Sequence, residues 1–284
     1  MPLLITPGEL ADLCASDPRV RVLDIRWRLD SPDGRPEYLE AHLPGAVYVD
    51  FERELSRHGA PAEGRHPLPD HSVLQDAARR WGLDEGDTVV LYDDVQSMAA
   101  ARAWWLLTRS GVPDVRVLDG GFGAWRAAGL PLEAGDVTPA GGSIALTPPA
   151  GAIADIGAAA AWPRRGVLID ARAPERYRGE VEPLDPVAGH VPGAVNLPMA
   201  RLIREDGRLR EPAELRAAFA SAGVGEGILV AAYCGSGVTA AHTALAGAVA
   251  GIEVAVFPGS WSAWSNTPGR PVATGASPFG AERS

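Results

Sequence analysis

The stretch Ile228-Leu-Val-Ala-Ala-Tyr-Cys-Gly-Ser-Gly-Val-Thr-Ala-Ala-His242 joins three local patterns. The apolar run up to Cys234 predicts a buried strand, the two glycines predict a short loop, and the alanine-rich remainder predicts a helix. Strands this apolar are typical of a parallel sheet that is covered by helices on both faces. The segment therefore predicts an open α/β fold, in which ligands bind beyond the carboxyl ends of the strands.

This segment belongs to the second of two copies of one sequence pattern. Four motifs of the first half recur in the same order in the second half, at a spacing of about 140 residues. The pairs are residues 22–26 with 167–172, 42–47 with 190–195, 89–93 with 228–234, and 121–125 with 260–264. A spacing of this length indicates a duplicated domain and excludes a short-period solenoid.

Within each copy, short apolar runs alternate with longer helical patterns. In the first copy we expect strands at 20–25, 46–49, 88–92 and 115–118, and helices at 7–15, 72–81, 98–110 and 122–128. The predicted fold class is α/β, with two tandem domains that are each an open parallel sheet flanked by helices. We place the amino-terminal domain at 1–135, a Gly- and Pro-rich linker at 136–155, the carboxy-terminal domain at 156–273 and a loosely held tail at 274–284.

The composition excludes several classes of protein. The 284 residues are 46% hydrophobic and 22% charged, which is ordinary for a globular protein. A net charge of −10 argues against nucleic-acid binding, because phosphates require a basic surface. No apolar run has the length of a membrane span. Because only Cys14 and Cys234 are present, a reducing cytoplasmic location is the simplest expectation, although one disulfide remains possible.

Cys234 lies where a nucleophile is useful, at the carboxyl end of a predicted strand. Gly235 and Gly237 allow several backbone N–H groups to converge on one point. The helix that follows adds the positive end of its dipole, so both features favour an anionic sulfur. The alternative is a small buried apolar residue, and we assign that role to Cys14, which lacks such a loop.

The segment Cys234-Gly-Ser-Gly-Val-Thr239 resembles the six-residue active loop of rhodanese-type sulfurtransferases. Residues 170–172, 176–179, 189–194 and 259–264 also resemble motifs of this family, and the resemblance covers residues from about 20 to 271. It implies two tandem rhodanese-like domains, of which only the second is catalytic. Asp93 stands at the position of Cys234 in the first copy and cannot accept sulfur.

The resemblance implies a sulfurtransferase in which Cys234 is catalytic and residues Gly235, Ser236, Gly237, Val238 and Thr239 form the active-site loop. The Cys234 thiolate would take sulfur from a small anionic donor and pass it, as a persulfide, to a thiol or cyanide acceptor. Neither a metal nor an organic cofactor is implied. The expected partners are these small molecules alone, with no nucleic acid and no membrane.

The identity of the donor depends on the loop composition. Family members with this Gly-Ser-Gly loop prefer 3-mercaptopyruvate, whereas those with a cationic loop prefer thiosulfate, which stays as the alternative. The resemblance also makes Arg176 an anchor for the donor carboxylate, through a bidentate fork. One departure is Leu184, which occupies the place of a second anchoring arginine, and Arg178 is a candidate substitute.

Histidines offer weaker candidates. His42 resembles a histidine that assists the loop serine in some mercaptopyruvate enzymes, with Asp33 as a possible partner. The repeat favours a structural role instead, because His190 occupies the same position in the second copy. His58, His66 and His71 share a polar region but lack the spacing of a metal site.

Two other classes of function are less favoured. Related phosphatases need an arginine that closes their loop, and the corresponding residue here is Ala240. A non-catalytic binding module would not need Cys234, which is present here with its two loop glycines intact. The glycines at 120, 121 and 123 lack the spacing of a nucleotide-binding loop, and their recurrence as Gly259-Ser-Trp indicates a packing turn.

Overall fold

The computed structural model describes residues 2–280 and divides them into two compact units. Unit 1 comprises residues 2–57, 68–150 and 205–209, and unit 2 comprises residues 58–67, 151–204 and 210–280. Each unit therefore contains a short segment from the other half of the sequence. The internal repeat gave no indication of this exchange.

Unit 1 contains five strands and five α-helices among its described residues. In chain order these are β1 (Leu4–Ile5), α1 (Pro7–Ser16), β2 (Val20–Asp24), α2 (Arg35–Glu40), β3 (Val47–Tyr48), α3 (His71–Arg80), β4 (Thr88–Tyr92), α4 (Met98–Arg109), β5 (Val115–Leu118) and α5 (Gly121–Ala127). A π-helical turn lies at Phe51–Leu55. Helix α1 begins at a capping box, because Thr6 and Glu9 satisfy each other's backbone N–H groups.

Unit 2 repeats this order with four strands and five α-helices in the described part of the chain. They are α6 (Ile156–Ala161), β6 (Gly166–Asp170), α7 (Pro174–Tyr177), β7 (Val195–Asn196), α8 (Pro212–Ser221), β8 (Leu229–Tyr233), α9 (Val238–Ala250), β9 (Val254–Val256) and α10 (Ser260–Ser265). Short 3₁₀ turns lie at Pro61–Glu63, Trp162–Arg164 and Met199–Arg201. Helix α9 ends at Gly251, whose φ of 78° is the left-handed conformation common at helix ends.

Both sheets are parallel and share one strand order. The order is β1-β5-β4-β2-β3 in unit 1 and β7-β6-β8-β9 in unit 2, so β5-β4-β2-β3 corresponds to β9-β8-β6-β7. The central pairs have matching registers, with Asp24 opposite Tyr92 and Asp170 opposite Tyr233. The carboxyl ends of β4 and β8 therefore occupy equivalent places in the two sheets. The loop with Asp93 follows β4, and the loop with Cys234 follows β8.

A buried Asp–Arg pair lies at the carboxyl end of the equivalent strand in each sheet, β2 in unit 1 and β6 in unit 2. In unit 2, Asp170 ends β6 and accepts two hydrogen bonds from the Arg172 guanidinium, at 3.0 Å from Nε and 2.6 Å from Nη2. Arg172 also donates to the Gly189 carbonyl at 2.6 Å. Asp24 and Arg26 form the same arrangement in unit 1. Since both partners are buried, losing one would leave an uncompensated charge in the core.

The predicted elements of the first half agree closely with the structure. The strands expected at 88–92 and 115–118 are found with those bounds, and the expected helices are displaced by one residue at most ends. Strand β1 was missed because two residues carry no periodicity. The predicted tandem pair of open parallel sheets is confirmed, with helices packed against them.

The predicted linker and tail are held more firmly than their composition suggests. Ile144 and Leu146 of the linker are buried, and the Ile144 N–H donates to the Leu83 carbonyl at 3.0 Å within unit 1. In unit 2, the tail binds through Gly275, whose N–H donates to Arg178, and through Pro278, whose carbonyl accepts from Gly193. Residues 274–280 are therefore not a loose tail, while 281–284 lie outside the described residues.

Candidate active site

Cys234 follows β8 directly and lies in a buried loop of unit 2. Its Sγ accepts a hydrogen bond from the Gly237 N–H at 3.1 Å. Helix α9 begins one residue later, at Val238, so the positive end of its dipole also faces the loop. Backbone donors and a helix amino terminus stabilise negative charge without a cationic side chain. The loop is therefore suited to hold an anionic sulfur.

Glycine is required at position 237 for two reasons. Its φ of 85° lies in the left-handed region, where other residues are strained. A β-carbon at this position would also lie 2.3 Å from the Pro258 carbonyl oxygen. The expectation that Gly237 permits the loop conformation agrees with this geometry.

Gly235 differs, because its backbone lies outside the left-handed region. A β-carbon there would lie 3.0 Å from Arg65 Nη2 and 3.4 Å from Arg176 Nη1. Space beside two guanidinium groups, rather than backbone freedom, therefore explains this glycine.

The Gly259-Ser-Trp motif binds the backbone of Cys234 through two hydrogen bonds. Ser260 Oγ accepts from the Cys234 N–H at 3.1 Å and donates to the Phe257 carbonyl at 2.8 Å. The Cys234 carbonyl in turn accepts from the Trp261 N–H at 3.0 Å. Ser260 is buried and has a φ of 54°, a strained conformation for a residue other than glycine. The packing turn predicted here thus also holds the backbone of Cys234.

Ser236 pairs with His66, which the sequence analysis weighed only as a metal ligand. Ser236 Oγ lies 2.8 Å from His66 Nδ1, and both side chains are buried in unit 2. His66 belongs to the 58–67 segment, which is far from the loop in sequence but packs in the same unit. Since the order of motifs in the repeat does not reveal this exchange, no sequence signal pointed to the pair.

A cluster of ion pairs lies beside the loop. Arg176 Nη2 is 2.7 Å from Glu182 Oε1 and 3.6 Å from Asp185 Oδ2. Arg65 Nη1 forms a second ion pair with Asp185. Both carboxylates are buried, whereas the arginine side chains are 19% and 24% exposed. The arginines are therefore held by buried acids and keep part of their surface free.

The structure separates other candidates from this cluster. Arg178 pairs with Glu180 at 2.6 Å on an exposed surface, and the Leu184 side chain is 45% exposed. Arg178 is thus directed to a neighbouring acid instead of taking the place of an arginine at 184. Arg65 is the guanidinium that accompanies Arg176 at the loop, and it comes from a segment that was not considered.

His42 is buried in unit 1, where its Nδ1 lies 2.8 Å from the Tyr38 carbonyl and its ring stacks on Tyr38. His190 makes the same contacts with Tyr177 in unit 2. This equivalence favours the structural interpretation of both histidines. Asp33 accepts a hydrogen bond from the Arg35 N–H in an exposed turn instead.

The remaining loop residues have supporting positions. The Val238 side chain is buried, and the Thr239 carbonyl accepts from Thr243 Oγ1 at 3.2 Å inside α9. Below the loop, burial and the adjacent Asp170 carboxylate raise the pKa of Tyr233 well above its usual value. Tyr233 therefore keeps its proton at neutral pH and donates within the core.

The equivalent loop of unit 1 holds Asp93 in place of a thiol. Its buried carboxylate accepts hydrogen bonds of 2.8–2.9 Å from the N–H groups of four residues: Val95, Ser97, Ala99 and Ala100. Burial raises the pKa of Asp93 to about 6, even though these donors oppose the shift. The Phe122 N–H donates to the Asp93 carbonyl, as Trp261 does to Cys234. The two loops thus share one frame.

Within residues 2–280, no three His, Cys, Asp or Glu side chains are grouped so as to hold a metal ion. His58, His66 and His71 do not form such a group. The same residues contain no helix that is long and apolar enough to cross a membrane.

Two regions of the chain, residues 6–128 and 156–267, match the model of the rhodanese-like domain. The chain belongs to the rhodanese family. It is 47% identical over 276 residues to SseB of Mycobacterium tuberculosis, whose name assigns it as a thiosulfate sulfurtransferase, with 96% of this chain and 97% of SseB covered. It is 36% identical over 264 residues to the 3-mercaptopyruvate sulfurtransferase of Escherichia coli, with 90% of this chain and 92% of that protein covered.

Among solved structures, SseA of Escherichia coli, described as a 3-mercaptopyruvate sulfotransferase, matches with a TM-score of 0.82 at 32% identity. The match covers 92% of this chain and 99% of SseA. These findings confirm the predicted tandem rhodanese-like fold and the predicted class of enzyme, a sulfurtransferase.

Proposed function

We propose that this rhodanese-family protein moves a sulfur atom from 3-mercaptopyruvate to a thiol or cyanide acceptor through a persulfide on Cys234. The observation that carries the proposal is the position of Cys234 Sγ, which accepts the Gly237 N–H at the start of α9. A buried sulfur with a backbone donor and a helix amino terminus beside it can carry negative charge both as a thiolate and as a persulfide.

The first half-reaction forms one S–S bond and breaks one C–S bond. The Cys234 thiolate attacks the sulfur of 3-mercaptopyruvate, and the electron pair of the broken C–S bond stays on the carbon skeleton as the enolate of pyruvate. The persulfide then loses its proton, and the enolate gains one to become pyruvate. In the second half-reaction the acceptor attacks the outer sulfur, and the Cys234 thiolate leaves.

Ser236 and His66 are suited to the proton transfer that completes pyruvate. Their 2.8 Å hydrogen bond joins a hydroxyl of the active-site loop to an imidazole, and such a pair can relay a proton. The hydroxyl belongs to the second residue after Cys234, so it lies close to where the leaving group departs. We assign this pair to proton delivery and assign no catalytic part to His42.

The charge beside the loop favours a monoanionic donor. Arg176 is the proposed anchor for the donor carboxylate, through the guanidinium surface that Glu182 and Asp185 leave free. The two buried carboxylates offset much of the positive charge that Arg176 and Arg65 bring. A site with little net positive charge binds a monoanion at a lower cost in repulsion than a dianion.

Thiosulfate is the second candidate donor. Two guanidinium groups lie within reach of Gly235, and the relative with 47% identity carries the name of a thiosulfate sulfurtransferase. Attack by Cys234 on its outer sulfur would release sulfite and leave the same persulfide.

We place the reaction in the cytoplasm, because Cys14 and Cys234 are both free thiols, and a reducing compartment keeps thiols in that state.

Intact mass spectrometry tests the proposal. The protein is incubated with 3-mercaptopyruvate or with thiosulfate, and the mass is measured before and after cyanide is added. We expect a gain of one sulfur atom that cyanide removes, and steady-state sulfur transfer that falls on the order of 10³-fold or more in Cys234→Ser. Cys14→Ser is the matched control, because Cys14 is the other free thiol and, contrary to the buried role expected from the sequence, is exposed.

Each outcome is decisive. A sulfur gain that persists in Cys234→Ser would place the nucleophile elsewhere, and the absence of any gain with both donors would overturn the persulfide mechanism. A kcat/KM for thiosulfate that clearly exceeds the value for 3-mercaptopyruvate would reverse the order of the two donors.

A further inference from the structure

Two guanidinium groups meet at the first residue after the nucleophile. A β-carbon on Gly235 would lie 3.0 Å from Arg65 Nη2, 3.4 Å from Arg176 Nη1 and 3.6 Å from Arg176 Nη2. All three residues belong to unit 2, although Arg65 comes from the 58–67 segment. The glycine leaves room that any other side chain would fill. We propose that Arg65 is a second donor-binding residue, which acts with Arg176 on the anionic end of the donor.

Asp185 holds the two arginines in place. Its carboxylate forms an ion pair with Arg65 Nη1 through Oδ1, and its Oδ2 lies 3.6 Å from Arg176 Nη2. The Asp185 side chain is 1% exposed, and its Oδ2 has no hydrogen-bond partner among the described residues, so the two arginines are the cations that offset its buried charge. A buried acid between two arginines restricts their rotamers, and this lowers the entropy that donor binding would otherwise cost. Asp185 is therefore a positioning residue.

The contacts of Arg65 leave one edge of its guanidinium free. Arg65 Nη1 donates a hydrogen bond to Asp185, whereas the buried Arg65 Nε has no hydrogen-bond partner in the described part of the chain. Nε and Nη2 form the edge that commonly binds a carboxylate through two parallel hydrogen bonds. Buried N–H groups are rarely left unsatisfied, so an unpaired Nε points to a ligand. A carboxylate on this edge would supply the missing acceptor once the Arg65 side chain, which is 24% exposed, turns its buried Nε toward the donor.

The chemistry of the donor gives the two arginines separate tasks. An α-keto acid presents a carboxylate and an adjacent carbonyl oxygen, and negative charge develops on that oxygen when the C–S bond breaks. One cation can bind the carboxylate while the other stabilises the developing enolate. Since Arg65 and Arg176 both lie against Gly235, they are close enough to share one small donor. The ligand class is thus a short α-keto carboxylate with sulfur on the next carbon.

This inference rests on the proposed function, so its test needs a measurement that does not depend on turnover. Pyruvate carries the same keto and carboxylate groups without the sulfur, and it serves as the probe. Its binding to Cys234→Ser is measured by calorimetry, with and without Arg65→Gln. We expect Arg65→Gln to weaken pyruvate binding about tenfold or more, since a charge-assisted fork is lost. In the enzyme with Cys234, the KM for 3-mercaptopyruvate should rise by a similar factor.

Variants separate donor binding from a structural role. Arg178→Gln is the matched control, because Arg178 is an exposed arginine paired with Glu180, and it should change neither value more than about twofold. Gly235→Ala should raise the KM while both arginines are kept, because the added methyl group displaces them. Arg65→Lys keeps the charge without the fork, and it serves if Arg65→Gln does not fold; it should bind pyruvate more weakly than the parent does.

Two outcomes would overturn the inference while leaving the proposed function intact. The first is normal persulfide formation together with a KM and a pyruvate affinity that Arg65→Gln leaves within twofold of the parent. The second is restoration of the KM in the double variant Arg65→Gln/Asp185→Asn, which would show that Arg65 only offsets the charge of Asp185. If no donor yields a persulfide on the unmodified protein, the proposed function fails instead, and pyruvate binding still tests the role of Arg65.

Discussion

The loops after β4 and β8 share a backbone frame, meaning the same position in the sheet and the same hydrogen bond to the residue after the strand. They differ in that residue, which is Asp93 in unit 1 and Cys234 in unit 2. Each follows the central strand of its sheet, precedes a long helix and is tied by its first carbonyl to the N–H of an aromatic residue, Phe122 or Trp261. In unit 1 the loop holds Asp93, whose carboxylate accepts four backbone N–H groups. In unit 2 the loop holds Cys234, whose Sγ accepts the Gly237 N–H.

The difference shows how one scaffold is used in two ways. A carboxylate brings its own negative charge into the loop and fills the backbone donors permanently, so the loop becomes a structural element. A thiol can alternate between thiolate and persulfide, so the same donors can support a charge that changes during turnover. The hydrogen-bonded frame is thus common to both units, and the two loops differ in the residue that follows the strand, a carboxylate in unit 1 and a thiol in unit 2.

The largest effect that we expect in this comparison comes from Gly237→Ala. The new β-carbon would lie 2.3 Å from the Pro258 carbonyl oxygen, and φ is 85° at this residue, so the loop must move. We expect a loss of about 2–4 kcal/mol in the free energy of unfolding, measured with urea, and sulfur transfer reduced more than tenfold.

The matched variant in the other loop is Ser97→Ala. Ser97 also precedes its helix with a positive φ, 63°, but tolerates a β-carbon there. Ser97→Ala should therefore cost less than about 1 kcal/mol. Equal destabilisation by the two variants would mean that a β-carbon at position 237 costs no more than the loss of the Ser97 hydroxyl, contrary to the comparison.

A smaller effect is expected from Ser260→Ala, which removes the hydroxyl that accepts the Cys234 N–H. The buried N–H would lose its partner, at a cost of about 1–3 kcal/mol, and the sulfur would be less well placed. We expect kcat for sulfur transfer to fall about tenfold while the KM for the donor changes little.

Ser260→Gly sharpens this result, because glycine relieves the strain at φ 54° but also removes the hydroxyl. It should be more stable than Ser260→Ala and equally slow. Gly121, at the corresponding place in unit 1, already has a φ of 56°. Ser262→Ala is the control, because alanine keeps both the backbone N–H that donates to the Gly235 carbonyl and the carbonyl that accepts from Asn266. Full activity in Ser260→Ala would show that this contact is structural only.

The smallest effect concerns Asp93 and pH. Because burial raises the pKa of Asp93 to about 6, its protonated form contributes stability that is present below the usual aspartate pKa and is lost as pH rises through 6. Between pH 5 and pH 7 the parent should lose about 1 kcal/mol of unfolding free energy relative to Asp93→Asn. Urea unfolding of both proteins at each pH measures the difference, and parallel pH profiles would contradict it.

Much of the fold could be predicted because the patterns are local. Strand β4 is a continuous apolar run, and α5 ends at Ala127, two residues before Gly129, whose φ is 67°. The glycine at 237 was also interpretable, since a tight turn between a strand and a helix needs a positive φ. Gly235 was interpreted for the wrong reason, because the space that it leaves for Arg65 depends on a distant segment.

The sequence by itself determined the duplication, the two parallel sheets and the place of Cys234 at the end of a strand. These follow from hydrophobic periodicity and from motifs that repeat in order, and both are properties of neighbouring residues. Only the tertiary structure brought Arg65 and His66 to the loop and left Arg178 and His42 apart from it. The physical reason is that the 58–67 segment packs in unit 2 through contacts between residues far apart in the chain, which no local pattern encodes.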